Sequence, residues 1–430
     1  MRPLLLLSNG HGEDLSAALL ARELQRHGLE VEAMPLVGQG GAYRREGVRV
    51  VGGATREFST GGLGYTSLAG RLTELIQGQP LYLLGRLLWL WRHRRRFRLV
   101  LAVGDLVPVL AAWLMGRPGA VYLVAYSSHY EGRLRLPFPC GWLLRSGCWR
   151  AIWSRDAFTA RDLSAQLGRP VTFLGNPFLD LVAADLPEKN LPLTALPETA
   201  ASPPGPEGRR PSLALLPGSR LPEAARNLSL MLRMLAHLPE PLRDPARLRL
   251  QAALVGDLPA EAVARLGEPL GWRLEPAPAD GQKGISETPP ELRQGELRLQ
   301  LHWGSFAAVL QGSDLVLSMT GTAAEQAVGL GLPVLQLAGG GPQFTPGFAE
   351  AQRRLLGPGV CCAPGPAGDE STLAASADLA AALLERRADP KRGPDWRREL
   401  RQLARERIGT PGGSGRQAAA TMDLIRTLSR

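Results

Sequence analysis

The chain has 430 residues, enough for two to three domains at roughly 100–200 residues each. Hydrophobic residues make up 44% and charged residues 21%, a balance that excludes disordered, collagen-like and coiled-coil chains. The formal net charge is +10, and the only lysines among the 50 basic residues are Lys189, Lys283 and Lys391. An arginine-rich surface favours anionic partners such as acidic lipid, phosphorylated substrate or nucleic acid, although a genomic composition bias would leave the same signature.

Cysteine spacing and hydropathy indicate the cellular compartment and whether the chain crosses a membrane. The four cysteines lack the spacing of a zinc site or a disulfide framework, which favours a reducing compartment: Cys140, Cys148, Cys361 and Cys362. The first apolar run, Leu4 to Leu7, is too short for the core of a signal peptide and predicts a buried strand instead. No stretch has 18 uncharged apolar residues, so no membrane-spanning helix is expected.

Strands and helices alternate through the first half of the chain. After the first strand comes a Gly-rich turn, then a helical pattern from Leu15 to His27 that Gly28 ends, then a strand at 29–35. Further strands are predicted at 98–103, 120–125, 151–153 and 171–174. Repeated βα units of this kind predict a doubly wound α/β domain over residues 1–184.

A Pro-rich stretch at 185–211 predicts a linker, and a second βα series follows it. Its strands are predicted at 212–216, 250–255, 297–301, 315–318 and 333–337. Residues 275–296 are expected to form a surface insertion. The second domain would cover residues 212–394, and a helical segment at 395–430 would end the chain, with a return to the N-terminal domain as one option. Two such Rossmann-like domains, facing a central cleft, would bind ligands there.

Two loops of the second domain suit a diphosphate. Thr320-Gly321-Thr322 follows an apolar strand and begins a helix, whose free N–H groups favour phosphate oxygens. Gly218-Ser219-Arg220 follows the domain's first strand, and its guanidinium supplies a counter-charge. An ordinary helix cap and a tight turn with a surface arginine are the alternatives. Neither loop matches a P-loop.

Further candidates in this domain would contact the nucleoside. Glu325 and Gln326 lie about one helical turn beyond the Thr-Gly-Thr sequence, within reach of a ribose hydroxyl pair. Trp303 follows an apolar segment and would stack on a uracil ring, or else pack in the core.

Three motifs together resemble the lipid-A-disaccharide synthase family. They are Leu215 to Arg220 with Glu223, Leu174-Gly175-Asn176-Pro177-Phe178-Leu179-Asp180, and the Thr320 to Ala323 turn. The resemblance extends from residue 1 to about 385. It implies a two-domain GT-B glycosyltransferase with a UDP-acylglucosamine donor and an acylated glucosamine 1-phosphate acceptor. It also implies inversion by direct displacement, with UDP-sugar as a co-substrate and no essential metal or other cofactor.

The first loop departs from the family's pattern S-G-E-x-S-G-D, because this chain reads S-N-G-H-G-E-D. The resemblance assigns to an acceptor loop Ser8, Gly10, Glu13, Asp14 and, from the second motif, Asn176. Asp105 matches the family's first acid and is the favoured base, with a helix N-cap as its alternative role. His11 is the second candidate, since an imidazole accepts protons near pH 7. The departures indicate a diverged paralogue with an altered acceptor or acyl-chain preference.

Two stretches predict contact with an anionic membrane surface. An apolar, aromatic helix candidate at 80–91 runs into the basic run 92–98, and a second aromatic, Arg-rich stretch covers 133–153. The residues assigned to the membrane are Trp89, Trp91, Arg94, Arg95, Arg96 and Trp142. A buried helix followed by a solvated basic turn is the alternative. No nucleic-acid motif is present, so nucleic acid is not expected as a partner.

The sequence therefore predicts an inverting glycosyltransferase, peripheral on the cytoplasmic face of the membrane. It would move a glucosamine-type sugar, acylated or not, from a UDP donor to a lipid-linked or acylated sugar acceptor. Two alternatives stay open. An enzyme like UDP-N-acetylglucosamine 2-epimerase would share the P-G-[ST]-R loop, and a membrane-associated nucleotide-sugar binder would lack catalysis.

Overall fold

The computed structural model describes residues 2–53, 55, 79–183, 210–275, 289–339 and 345–428, with backbone alone at 11, 79, 80 and 346. The linker predicted at 185–211 lies outside these ranges, apart from its last two residues. The chain forms two compact units, Met1–Asp180 with Gly409–Arg430, and Leu181–Ile408.

The first unit contains a seven-stranded sheet in which every pairing is parallel. Its strands are β1 (Leu4–Ser8), β2 (Val31–Pro35), β3 (Arg49–Val50), β4 (Leu99–Val103), β5 (Gly119–Leu123), β6 (Trp149–Ser154) and β7 (Thr172–Phe173). Their order is β3-β2-β1-β4-β5-β6-β7. The chain adds β2 and β3 on one side of β1 and then adds β4 to β7 on the other, so the topological switch lies between β1 and β4. The predicted doubly wound arrangement is confirmed, and loops after β1 and β4 meet at the carboxyl edge of the sheet.

Helices connect these strands and cover both faces of the sheet. They are α1 (His11–Arg26), α2 (Gly41–Arg45), α3 (Gln79–His93), α4 (Leu106–Leu114), α5 (Cys140–Leu144) and α6 (Ala157–Leu167). Two buried clusters form the core, one on each face, and the residues of β1 alternate between them. Leu5 and Leu7 enter one cluster, and Leu4 and Leu6 enter the other. This is why the first strand reads as an uninterrupted apolar run.

The second unit contains an eight-stranded mixed sheet. Its strands are β8 (Ser212–Leu216), β9 (Arg249–Leu254), β10 (Arg273–Glu275), β11 (Glu291–Gln294), β12 (Leu297–Trp303), β13 (Leu315–Ser318), β14 (Val334–Gln336) and β15 (Val360–Cys362). Their order is β10-β11-β12-β9-β8-β13-β14-β15. In this order the six strands β12, β9, β8, β13, β14 and β15 are mutually parallel. The chain adds β9 and β12 on one side of β8 and adds β13, β14 and β15 on the other, so the topological switch lies between β8 and β13.

The surface insertion predicted at 275–296 is wrong for Glu291–Gln294, which forms β11 in an antiparallel hairpin with β12. Gln294 pairs with Leu297, so only Gly295 and Glu296 connect the two strands. Gly295 has a φ of 58°, a conformation that a two-residue hairpin turn often requires. The glycine before an apolar strand was therefore an available signal for this hairpin.

The helices of the second unit are α7 (Glu223–Leu235), α8 (Glu240–Arg243), α9 (Ala260–Gly267), α10 (Phe306–Gln311), α11 (Thr322–Gly329), α12 (Pro346–Leu356), α13 (Glu370–Ala388) and α14 (Gly393–Arg407). Helix α14 packs on α11, α12 and α13. Residues 395–408, expected in a separate C-terminal segment, therefore lie within the second unit.

The last helix, α15 (Gly413–Thr427), packs on α1 in the first unit. The Asp180 carboxylate caps it, accepting backbone N–H groups of Gly412 at 2.5 Å, Gly413 at 3.2 Å and Ser414 at 2.9 Å. Arg416 Nε donates to the Leu174 carbonyl at 2.7 Å from within the same helix. The motif around Asn176 is thus the docking site of the C-terminal helix.

Replacing Asp180 with Ala should lower the free energy of unfolding by about 2 kcal/mol, because the change leaves the helix N–H groups without their acceptor. Urea denaturation measures this loss, and faster hydrogen exchange over 413–427 locates it. Asp423→Ala is the matched control, since that carboxylate is exposed on the same helix and, among the described residues, pairs only with exposed Arg426. Equal losses in both variants would contradict the capping role.

Candidate functional site

Asp105 lies at the carboxyl end of β4, where two loops hold its carboxylate. Oδ1 accepts the backbone N–H of Val107 at 2.8 Å, so Asp105 is the N-cap of α4. From the loop after β1, Asn9 Nδ2 donates to both Asp105 oxygens, at 3.1 and 3.3 Å. The base expected from sequence is therefore nearly buried and oriented by a side chain that the sequence analysis did not single out.

Glu13 lies beside this pair. The backbone N–H of Asn9 donates to Glu13 Oε2 at 2.9 Å, and the carboxylate sits against the backbone of Gly104. Gly104 has a φ of 134°, and a Cβ there would collide with the Glu13 carboxylate. Burial and then the charge of Asp105 raise the pKa of Glu13 well above its ordinary value, against the hydrogen bond from Asn9.

Asp14 belongs to a second, fully buried network under the same loop. Ser8 Oγ donates to Asp14 Oδ1 at 2.5 Å and lies 2.5 Å from the Tyr43 hydroxyl. Gly10, the residue before α1, approaches Asp14 with its backbone N–H at 3.4 Å. Burial raises the pKa of Asp14 to about 7, and the bonds from Ser8 and Gly10 offset only part of that shift. Ser8 and Asp14 therefore support the conformation of the loop from the buried side.

The carboxylates at this edge suit proton transfer. Burial raises the pKa of Asp105 as well, and a higher pKa makes its carboxylate a stronger base. Asn9 Oδ1 is buried beside it and accepts no hydrogen bond from the described residues. An acceptor hydroxyl or amide would satisfy that oxygen. The side chain of His11 lies outside the described residues, so its assignment as a base stays a prediction.

Asn176 does not join this loop, contrary to its assignment. It is fully buried, where Nδ2 donates to the Arg155 carbonyl at 2.9 Å and Oδ1 accepts from the Tyr122 hydroxyl. Both ends of the amide are engaged inside the unit, so no substrate can reach them. Its neighbours in the motif, through Asp180, hold the C-terminal helix.

In the second unit the two candidate diphosphate loops follow adjacent parallel strands. Ser318 at the end of β13 pairs with Leu216 at the end of β8. Asn227 on α7 joins the loops, donating through Nδ2 to the Pro217 carbonyl at 2.8 Å and to the Met319 carbonyl at 3.5 Å. Gly218 has a φ of 123°, which permits the turn before exposed Ser219 and partly exposed Arg220. Asn227 was missed because its role depends on both loops.

The start of α11 carries the other candidates of this unit. Thr320 Oγ1 lies 2.7 Å from Ser318 Oγ, and Gly321 and Thr322 begin the helix. The Gly321 carbonyl accepts from Gln352 on α12 at 3.3 Å. Glu325 is partly exposed, whereas Gln326 is buried, so Glu325 is the one able to reach a ligand.

Trp303 occupies a packing position at the end of β12, two strands away from β8. Its indole N–H donates to the Leu258 carbonyl at 3.0 Å, and its ring packs against the core of the unit. These contacts favour the core role that the sequence left as an alternative to stacking on a base.

Helix α3 presents an apolar stripe to solvent. The exposed fractions are 76% for Leu81, 52% for Leu84, 54% for Leu88 and 57% for Trp91. Spacings of three, four and three residues place these side chains on one helical face. Trp89 lies off that face, partly buried and stacked on His93 with ring centroids 4.1 Å apart.

The basic residues after α3 also differ in their surroundings, since some lie beside the exposed stripe and one pairs with a buried carboxylate. The Arg94 guanidinium lies 4.6 Å from the ring centroid of Trp91, and Arg95 is exposed beside it. Arg96 instead forms an ion pair with Glu32, whose side chain is buried in β2. Arg96 therefore compensates the buried negative charge of Glu32, and its assignment to the membrane surface is not supported. Across the described helices, none combines the length and apolar character needed to cross a bilayer.

Comparison with known proteins shows the fold. No protein-family model matches, and no curated protein sequence matches. The calicheamicin glycosyltransferase CalG4 superposes with a TM-score of 0.58 at 14% identity, covering 100% of both chains. The rhamnosyltransferase SpnG complexed with thymidine diphosphate gives 0.53 at 15% identity, again covering 100% of both.

A protein from Listeria monocytogenes assigned as a UDP-N-acetylglucosamine 2-epimerase has a TM-score of 0.50 at 14% identity, covering 99% of this chain and 98% of its own. The chain therefore has the GT-B fold, with two Rossmann-like α/β units, as predicted.

The buried Asp14 carboxyl should make the protein less stable as pH rises from about 4 to 7. In that interval the folded state keeps a proton that the unfolded chain, with an ordinary pKa of 3.8, has released. Urea denaturation at several pH values measures this slope. Asp14→Asn should reduce the slope, with the remainder due to buried Glu13 and Asp105, while Asp257→Asn, at an exposed carboxylate in the other unit, should leave it unchanged. An identical slope in wild type and Asp14→Asn would contradict the shift.

Proposed function

We propose that this protein is an inverting glycosyltransferase that moves a sugar from a UDP donor to a lipid-linked or acylated sugar acceptor. The observation that carries the proposal is the pair of loops joined by Asn227, which follow adjacent strands of a Rossmann-like unit and include Arg220. The resemblance to lipid-A-disaccharide synthase and the GT-B fold support the same class of reaction. SpnG, of similar fold, was crystallised with a nucleoside diphosphate.

The second unit would bind the donor. Backbone N–H groups around Gly218 and at the start of α11 would hold the diphosphate, with Ser219 and Thr320 as hydroxyl donors. Arg220 would neutralise the charge that develops on UDP as it leaves, so transfer would need no essential metal. Glu325 would accept hydrogen bonds from the ribose hydroxyls.

The first unit would bind the acceptor at the loop after β1. Asp105 would take the proton of the acceptor hydroxyl. At the same time the hydroxyl oxygen would bond to the anomeric carbon, and the bond between that carbon and the UDP oxygen would break. Inversion follows from a single displacement. Asn9 orients the Asp105 carboxylate, and burial raises the pKa of this base. His11 is retained as the second candidate for this proton.

The apolar stripe of α3 would bring the enzyme to an acylated acceptor. Leucine and tryptophan side chains on one face, beside Arg94 and Arg95, are typical of a helix lying in an anionic lipid interface. The proposed location is the cytoplasmic face of the membrane, because the cysteine spacing favours a reducing compartment. The partners would be the nucleotide sugar, the lipid or acylated sugar and the bilayer.

The Arg220→Ala and Asp105→Asn variants should fail at different steps. Removal of the guanidinium should weaken UDP binding at least about tenfold, the contribution of a charge-assisted hydrogen bond. Asp105→Asn should keep UDP affinity while transfer falls by about 10²-fold or more. Calorimetry measures UDP affinity, and mass spectrometry of lipid extract incubated with UDP-N-acetylglucosamine identifies the product.

Arg226→Ala, an exposed arginine on α7, is the control and should behave as wild type. UDP binding without product would indicate the non-catalytic binder. Conversion of the UDP-sugar to an epimer without lipid would indicate the epimerase-like activity. Full transfer by both principal variants would overturn the proposal.

Vesicle flotation tests the membrane role of the stripe. Leu84→Ser/Leu88→Ser should weaken binding to phosphatidylglycerol-containing vesicles more than about tenfold, since each leucine loses apolar contact with acyl chains. Leu221→Ser/Phe348→Ser removes exposed apolar side chains from the other unit and should have little effect. Arg96 is left intact because Glu32 depends on it. Equal flotation of both double variants would exclude the stripe as the docking surface.

A further inference from the structure

A cavity of about 490 Å³ opens on the first unit, apart from the loops that carry Asp105. Its lining includes Arg133, Arg135 and Arg145 but only one acidic residue, Glu131. Gln166 and Leu167 at the end of α6 complete one wall. Because α6 runs back from the carboxyl edge after β6, its end lies toward the amino edge of the sheet, away from Asp105.

The positive charge of the cavity is only partly compensated within the unit, because Arg133 interacts electrostatically with the Asp162 carboxylate. Arg133 and Arg135 make no salt bridge with any described residue, and neither donates a hydrogen bond to one. Arg145 is positioned by donating to the Gln166 carbonyl at 2.7 Å. The nearby Asp162 carboxylate is already occupied by Leu134 N at 2.7 Å and by other donors. The lining therefore holds three guanidinium groups and one carboxylate, and the Asp162 carboxylate beside Arg133 leaves an excess of positive charge.

Exposed aromatic side chains lie next to the cavity. Phe138 is 93% exposed and follows the lining residue Leu136 by two positions, and Trp142, 60% exposed, follows lining residue Gly141. The edge of the Trp142 ring packs on Trp113 of α4, with centroids 5.4 Å apart. Helix α4 packs both against α5, which carries Trp142, and against α3, which carries the apolar stripe.

We propose that this cavity binds the phosphate headgroup of an anionic membrane lipid, with the acyl chains lying over Phe138 and Trp142. Arginine forms paired hydrogen bonds to phosphate oxygens, and about 490 Å³ is a volume typical of small-ligand sites. A soluble anion would use the arginines but give no role to the exposed aromatic rings. The inference rests on the proposed membrane location and adds a specific lipid-binding site to it.

Flotation with vesicles of phosphatidylcholine, with and without phosphatidylglycerol, tests this site. Arg133→Gln/Arg135→Gln should weaken binding to the anionic vesicles about 30-fold, which corresponds to about 1 kcal/mol per arginine. The matched control is Arg44→Gln/Arg45→Gln, two exposed arginines of α2 near the opposite edge of the sheet, and it should weaken binding less than about threefold. Binding to pure phosphatidylcholine should not differ among the three proteins.

Phe138→Ser/Trp142→Ser provides a second test. It should weaken binding to both vesicle types, because the rings contact acyl chains. Thermal unfolding and UDP affinity, measured on each variant, should match wild type, so that a folding defect or a failure of the proposed donor site is recognised separately.

Equal loss of binding in the two arginine double variants would mean that only overall charge matters, and would overturn the site. Calorimetric binding of inorganic phosphate that disappears in Arg133→Gln/Arg135→Gln, with flotation unchanged, would make it a soluble-anion site and overturn the lipid assignment.

Discussion

Parallel pairing of strands that are distant in sequence decides which loops of this protein act together. β1 and β4 end in register, with Ser8 opposite Val103, and this brings Asn9 to Asp105. β8 and β13 end in the same way, which brings the Pro217 and Met319 carbonyls within reach of Asn227. In each unit an asparagine amide, which offers two N–H donors, connects the site.

The acidic cluster of the first unit places three carboxyl groups away from water at the carboxyl edge of the sheet, and burying such groups costs free energy of folding. Burial raises the pKa of Glu13, Asp14 and Asp105, and the charges of Asp105 and Asp14 raise that of Glu13 further. Gly104 is needed there because a side chain would take the space of Glu13. Buried carboxylates with raised pKa values are enriched at sites of proton transfer.

Helix α3 has two apolar faces for two different reasons. Leu90 on the inner face is buried in the core, and Arg86 points inward to donate to the Gly52 carbonyl at 2.8 Å. The outer face leaves Leu88 and Trp91 in contact with solvent, next to Arg94. Contiguous apolar exposure of this kind marks surfaces that bind something. The lipid surface proposed above would cover this outer face and reach the arginine-lined cavity on the same unit.

The amino-acid sequence by itself determined most of the strands, the doubly wound order of each unit and the position of Asp105 and the two candidate diphosphate loops. These follow from apolar runs and turn residues, whose physical effect is local. Only the tertiary structure decided the roles of Asn9 and Asn227, since each depends on a loop from elsewhere in the chain. It also moved Asn176 into the core and Arg96 to Glu32. Local sequence sets hydrophobic periodicity, whereas the partner of a polar side chain is set by what packing brings beside it.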